Sequence, residues 1–196
     1  MSENKVKELV DNFYRNFAGL PNQRAIVRNN TMEDAFTLAI LKIMYGETID
    51  YEIVPENVDK ISKIIVAPPD SGIDLFVEIE DGDEYYYDII QSKYSELTEE
   101  EIRVCFLGMR DSINQYLKNP NNIKSNLRDV IAGTNFNASF KNNCTYYVYH
   151  TGTLNYGKNF KDNEKIVTIN EMEVVLGSLG REQIYEPIGT DLGQFP

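Results

Sequence analysis

Three residues in the middle of this chain, Asp74, Gln91 and Lys93, are of types that together could hold a divalent cation and a water against a phosphodiester. Asp74 follows Gly72-Ile73, and Gln91-Ser92-Lys93 begins 17 residues later. The residues between them read as a hairpin: Leu75-Phe76-Val77-Glu78-Ile79 has strand composition, Glu80-Asp81-Gly82-Asp83 carries an Asp-Gly turn step, and 85–93 returns to strand composition. An acid opening one strand and a Gln-x-Lys closing its partner then lie at the same end of the hairpin. Side chains alternate along a strand, so Gln91 and Lys93 share a face and Ser92 points away. A carboxylate, an amide oxygen and an ammonium are thereby brought together. Glu78, four residues after Asp74, is a reserve ligand, while Asp88 faces away from Gln91. A plain structural reading stands beside this one. Asp74 could end a turn, and Gln91 and Lys93 could be solvent-facing residues of an edge strand, where lysine discourages aggregation.

The elements that must position these residues are legible as patterns. Val6, Leu9, Val10, Phe13, Tyr14 and Phe17 recur at helical spacing, so 3–17 reads as an amphipathic helix ended by Gly19-Leu20-Pro21. Thr31 opens a second helix over 31–44, with Asp34 completing a capping box. Residues 49–66 carry no single period; the β-branched cluster Ile61, Ile64, Ile65 and Val66 suggests a strand near the end. Thr98, followed by Glu99-Glu100-Glu101, starts a helix running to about 117, and a shorter helix covers 123–131. Strands are expected at 144–150 and 166–169, and a last helix at 171–179. This order argues for an α/β domain with a mixed sheet flanked by helices.

The chain has 196 residues, 31 acids against 19 bases, and a net charge of −12. The acids are concentrated: residues 31–104 hold 19 acids and 5 bases, whereas 105–143 hold 5 bases and 2 acids. A protein that grips nucleic acid by neutralising phosphates presents a basic surface, so the best candidates for phosphate contacts are Arg110, Lys118, Lys124 and Arg128. No apolar run reaches membrane-spanning length, and no membrane partner is expected. The start, Met1-Ser2-Glu3-Asn4-Lys5, lacks the layout of a secretory signal, which points to the cytoplasm. Cys105 and Cys144 are expected to be reduced, and with only His150 beside them they do not make a zinc site. The single histidine also argues against Ser-His-Asp or Cys-His chemistry.

An acid on an early helix, Gly72-Ile73-Asp74 opening a strand and Gln91-Ser92-Lys93-Tyr94 closing the next resembles the PD-(D/E)XK nuclease superfamily, in its Mrr-like Gln-x-Lys form. Within that superfamily the chain is most similar to the N-terminal part of abortive-infection phage-resistance (AIPR) proteins, over residues 31–117 and more loosely beyond. The resemblance implies a restriction-endonuclease-like fold as one domain over residues 1–185, with an N-terminal helix at 3–18, a core at 31–180 and a tail at 186–196 leading toward a C-terminal region outside this chain. It implies a Mg²⁺- or Mn²⁺-dependent endonuclease acting on DNA in phage defence, with homo-oligomers a possible assembly. In the family's terms Asp74 is the metal-binding acid, and Gln91 stands where many members have Glu or Asp. Lys93 is the lysine that positions the attacking water and stabilises charge on the phosphate. Glu33 matches the acid on the early helix, and the Ser92 backbone carbonyl adds a ligand.

Gln91 departs from the acidic pattern and removes one anionic ligand. That departure and the negative net charge keep a second reading open, a nuclease-like module that binds nucleic acid or protein, or oligomerises, without cutting. A third reading is an acidic α/β domain with a basic protein partner.

Overall fold

Alternating apolar residues and an Asp-Gly step fold the centre of the chain into a hairpin, β1 (Leu75–Asp81) and β2 (Glu84–Lys93), paired in the register Leu75↔Ile90 to Asp81↔Glu84. The turn is Gly82-Asp83, and Gly82 takes φ +63°, the left-handed sign that two-residue hairpin turns need. Glu80, Asp81, Asp83 and Glu84 are exposed around this turn. The computed structural model describes residues 4–20, 26–27, 29–46, 55–68 and 72–179. The expected tail at 186–196 and Gly180 lie outside the described residues.

Contacts divide the chain into two compact units, Met1–Ser62 with Ile169–Pro196, and Lys63–Thr168, where the sequence reading expects one domain over 1–185. The first unit is helical. Its α1 (Lys5–Arg15) buries Val6, Leu9, Val10 and Phe13 and leaves Tyr14 exposed. It packs on α2 (Met32–Ile40), where Thr31 and Asp34 form the expected capping box and every side chain from Ala35 to Leu41 is buried. A π-helical segment, Leu41–Tyr45, continues α2, and a short α3 (Val58–Ser62) follows. The helix α6 (Ile169–Ser178) supplies the Glu173 carboxylate, which accepts the Val6 N–H at 2.6 Å. One of the orphan donors at the N-terminus of α1 is thereby satisfied.

The second unit contains a four-stranded mixed sheet in the order β1-β2-β3-β4, with β3 (Cys144–His150) and β4 (Glu164–Thr168) both parallel. Two helices pack on it. In α4 (Glu99–Lys118) the stripe Ile102, Phe106, Met109 and Ile113 meets Phe76, Tyr87, Ile89, Tyr146, Val148 and Ile166 of the sheet, and α5 (Ser125–Ala132) adds Leu127 and Ile131. Thr98 and Glu101 close a second capping box at the start of α4. The strand expected from the cluster at 61–66 is reduced to a single bridge. Ile61 sits in α3, and only the Ile64 carbonyl and the Val66 N–H join β1, through Phe76 and Asp74.

Burial raises the pKa values of several groups on β3. The Cys144 thiol is pushed from 9.0 up to about 12, the Tyr147 hydroxyl from 10.0 up to about 12, and Tyr146 is raised as well. Each folded-state value lies above its unfolded one, so the unfolded state binds fewer protons between about pH 9 and 12, and stability falls as pH rises through that window. The urea midpoint should hold steady up to pH 9 and then decline, with a shallower decline in Tyr147→Phe. A midpoint unchanged at pH 11 would show that these groups are not desolvated.

Candidate active site

Asp74 immediately precedes β1. It stands in a bend one residue ahead of the first pair, Leu75↔Ile90, and its N–H donates to the Ile90 carbonyl at 2.8 Å. Phe76, two residues on, enters the core under α4, as do Tyr87 and Ile89 of β2. Side chains two apart share a face, so Gln91 and Lys93 continue this same face at the C-terminal end of β2, while Asp74 sits in the bend before β1 with its carboxylate bonded to Ser92. Burial pushes the Cys105 thiol of α4 up, Lys93 pulls it down, and Asp74 and Glu101 push it up.

The edge-strand explanation of Gln91 and Lys93 does not hold. β2 is an inner strand, with β1 on one side and β3 on the other. Gln91 is 8 % exposed, and a side-chain carbon placed on Gly72 would sit 3.7 Å from its Nε2 and 3.8 Å from its Oε1. Gly72 has φ +78°, so its backbone lies against the Gln91 carboxamide in a conformation other residues rarely take.

Ser92 has a part that alternation alone does not disclose. Its N–H and Oγ both donate to Asp74 Oδ2, at 2.7 and 3.1 Å. These bonds fix the carboxylate across the end of the hairpin. A residue's N–H and C=O point to the same side of a strand, so the Ser92 carbonyl also faces the Asp74 side. Carboxylate, carboxamide and carbonyl oxygens are hard donors of the kind Mg²⁺ takes, and Mg²⁺ commonly keeps several waters and only one or two protein carboxylates. Among the described residues no three His, Cys, Asp or Glu side chains cluster to hold a metal.

The other candidates divide. Glu33 is exposed in the first turn of α2, in the first unit. Glu78 is engaged structurally: its oxygens accept the Tyr87 hydroxyl at 2.8 Å and the Asn135 N–H and Nδ2 at 2.7 and 3.1 Å. It ties the loop after α5 to the hairpin. His150, opposite Lys93 in the register, is fully buried, and its Nδ1 accepts the N–H groups of Leu97 and Gly152 at 3.3 and 3.2 Å. It anchors the segment leading into α4. Arg110 pairs with Glu164 at 2.6 Å, donates to Asn163 at 2.7 Å and stacks on Tyr146. Lys118 and Lys124 are exposed, and Arg128 donates to Asn121 at 3.2 Å. Cys105 and Cys144 are both free thiols.

Asp74→Ala removes the acceptor of the bonds from the Ser92 N–H and hydroxyl and should cost about 2 kcal/mol in chemical denaturation, whereas Ser92→Ala keeps the backbone donor and should cost about 1 kcal/mol. Equal costs for the two would mean that the backbone N–H carries none of the bond.

Neither a protein-family model, nor a curated protein, nor a solved structure matches the chain. Asp74, Gln91, Ser92 and Lys93, with the hairpin that presents them, therefore carry the functional reading by themselves.

Proposed function

We propose that the second unit is a metal-dependent phosphodiesterase module of the restriction-endonuclease-like type, an endonuclease acting on DNA in phage defence as the AIPR resemblance implies. The observation that carries this reading is the pair of hydrogen bonds from the Ser92 N–H and Oγ to Asp74 Oδ2, which fix the acid before β1 against the Gln91-Ser92-Lys93 end of β2.

Asp74, the Gln91 amide oxygen and the Ser92 carbonyl would hold Mg²⁺ or Mn²⁺. The bound cation would supply Lewis acidity toward a phosphoryl oxygen and a more acidic water. Asp74 provides the negative charge of the set, oriented by its two bonds from Ser92. Gln91 contributes an oxygen without charge, held against the Gly72 backbone. Lys93 offsets charge developing on the scissile phosphate and orients the attacking water from the same face. The sheet core under α4 backs these groups and limits their freedom to rearrange.

A specific observation favours the second reading, a module that binds without cutting. Position 91 carries no charge, and Asp74 Oδ2 already accepts two donors.

Two measurements separate the readings. Lys93→Ala should lower DNA cleavage with Mg²⁺ or Mn²⁺ by about 100-fold or more while leaving the unfolding midpoint in place. Calorimetric titration should show saturable Mg²⁺ binding that Asp74→Ala removes. Undiminished cleavage by folded Lys93→Ala protein would defeat the catalytic role, and the absence of both cleavage and metal binding would leave the binding module.

A further inference from the structure

At the other end of the sheet, Arg110 and Asn114 of α4, Lys141 and Asn142 of the 3₁₀ segment Ala138–Asn143, and Lys161 and Asn163 before β4 line a cleft of about 260 Å³ over Tyr146. Tyr146 lies four residues before His150 on β3, about 13 Å along the strand at the ordinary rise. We infer that this cleft is a site for a phosphate group, separate from the Asp74 site and independent of whether that site cuts.

Three cations converge here and no carboxylate lines the cleft, in a chain of net charge −12. Convergence of like charges raises the energy of the site, and a bound oxyanion reverses that term. Arg110 is held in place before any ligand arrives. Glu164 accepts from its Nε, Asn163 from its Nη2, and its guanidinium lies 4.7 Å from the centre of the Tyr146 ring. Its Nη1 has no hydrogen-bond partner among the described residues and remains available to donate. Glu164 offsets one positive charge from the side of Arg110, which leaves Lys141 and Lys161 as the uncompensated pair. Both are exposed, and neither has a carboxylate within ion-pair distance among the described residues. The Asp111 carboxylate lines an adjoining depression shared with Asn114 and Lys141, and accepts from Gln115 at 2.5 Å. Amide donors beside ammonium and guanidinium groups suit a tetrahedral oxyanion, and the polar lining does not suit an apolar ligand. Lys118 lines the adjoining depression and extends the basic surface.

The test is an NMR titration of the full chain with inorganic phosphate at constant ionic strength, read at the Asn114 and Asn142 side-chain amides and at Arg110 Nε–H, with chloride as control. Saturable shifts are expected, with affinity about tenfold or more weaker in the double variant Lys141→Ala/Lys161→Ala. An unchanged unfolding midpoint of that variant verifies its fold. Shifts that do not saturate, that chloride reproduces, or that persist with equal affinity in the variant overturn the inference. A single-stranded oligonucleotide without terminal phosphate forms a second arm. Displacement of phosphate by it supports the site and assigns it to a nucleic-acid strand. Saturable phosphate binding that it leaves untouched supports the site and assigns it to a small phosphorylated molecule.

Discussion

Asp74 is tied to the sheet through its N–H, its C=O and its carboxylate at once. The N–H donates to Ile90, the carbonyl accepts from Val66, and Oδ2 accepts the two donors of Ser92. The segment before the hairpin, the start of β1 and the end of β2 therefore meet at one residue. The Gly82-Asp83 turn sets the register from the far end, so the hairpin is pinned at both ends. A slip of one residue would reverse every face of β2, sending Gln91 and Lys93 away from α4 and Tyr87 and Ile89 out of the core. The candidate site is thus a consequence of the same register that fills the core.

The place of β2 inside the sheet gives that register its chemical meaning. β1 begins, and β2 and β3 end, at the same edge, where the backbone of an open α/β sheet commonly leaves a crevice for ligands. Lys93 and His150 stand side by side there, but their environments differ. Lys93 is only partly buried, whereas His150 is fully buried and accepts two backbone N–H groups. The lysine is accessible for work on a ligand; the histidine holds the turn that leads into α4. Position 91 carries a neutral amide, so it adds no negative charge to that of Asp74 at this end of the hairpin.

Charge is sorted along the sheet. The acidic turn of the hairpin is solvated, and Glu78, which lies on the same strand, is consumed by Tyr87 and Asn135. The cations instead gather where β3 and β4 begin, beside the middle of α4. A net charge of −12 therefore coexists with a local basic cleft. The whole-chain figure describes long-range repulsion of polyanions, and the cleft describes what a single phosphate would meet.

Much of this was readable in the order of residues because it is governed by short-range rules. Capping at Thr31 and Thr98, the glycine turn of the hairpin, and the alternation that places Gln91 and Lys93 on one face all follow from neighbours within a few positions. The same rules misplaced the cluster at 61–66, whose β-branched residues look like a strand yet contribute one bridge, since pairing depends on a partner that local propensity does not supply. The donation from Ser92 to Asp74 and the parallel pairing of β2 with β3 are set by the tertiary structure. So is the contact of Arg110 with Glu164, 54 residues away. So is the division into two units, because α6 at the far end of the chain returns to the helices of the first. The sequence by itself determined which residues could share a hairpin face. Only the fold decided which of them are fixed by hydrogen bonds, and which cations meet in one cleft, because those outcomes depend on distances across the sheet that no spacing along the chain encodes.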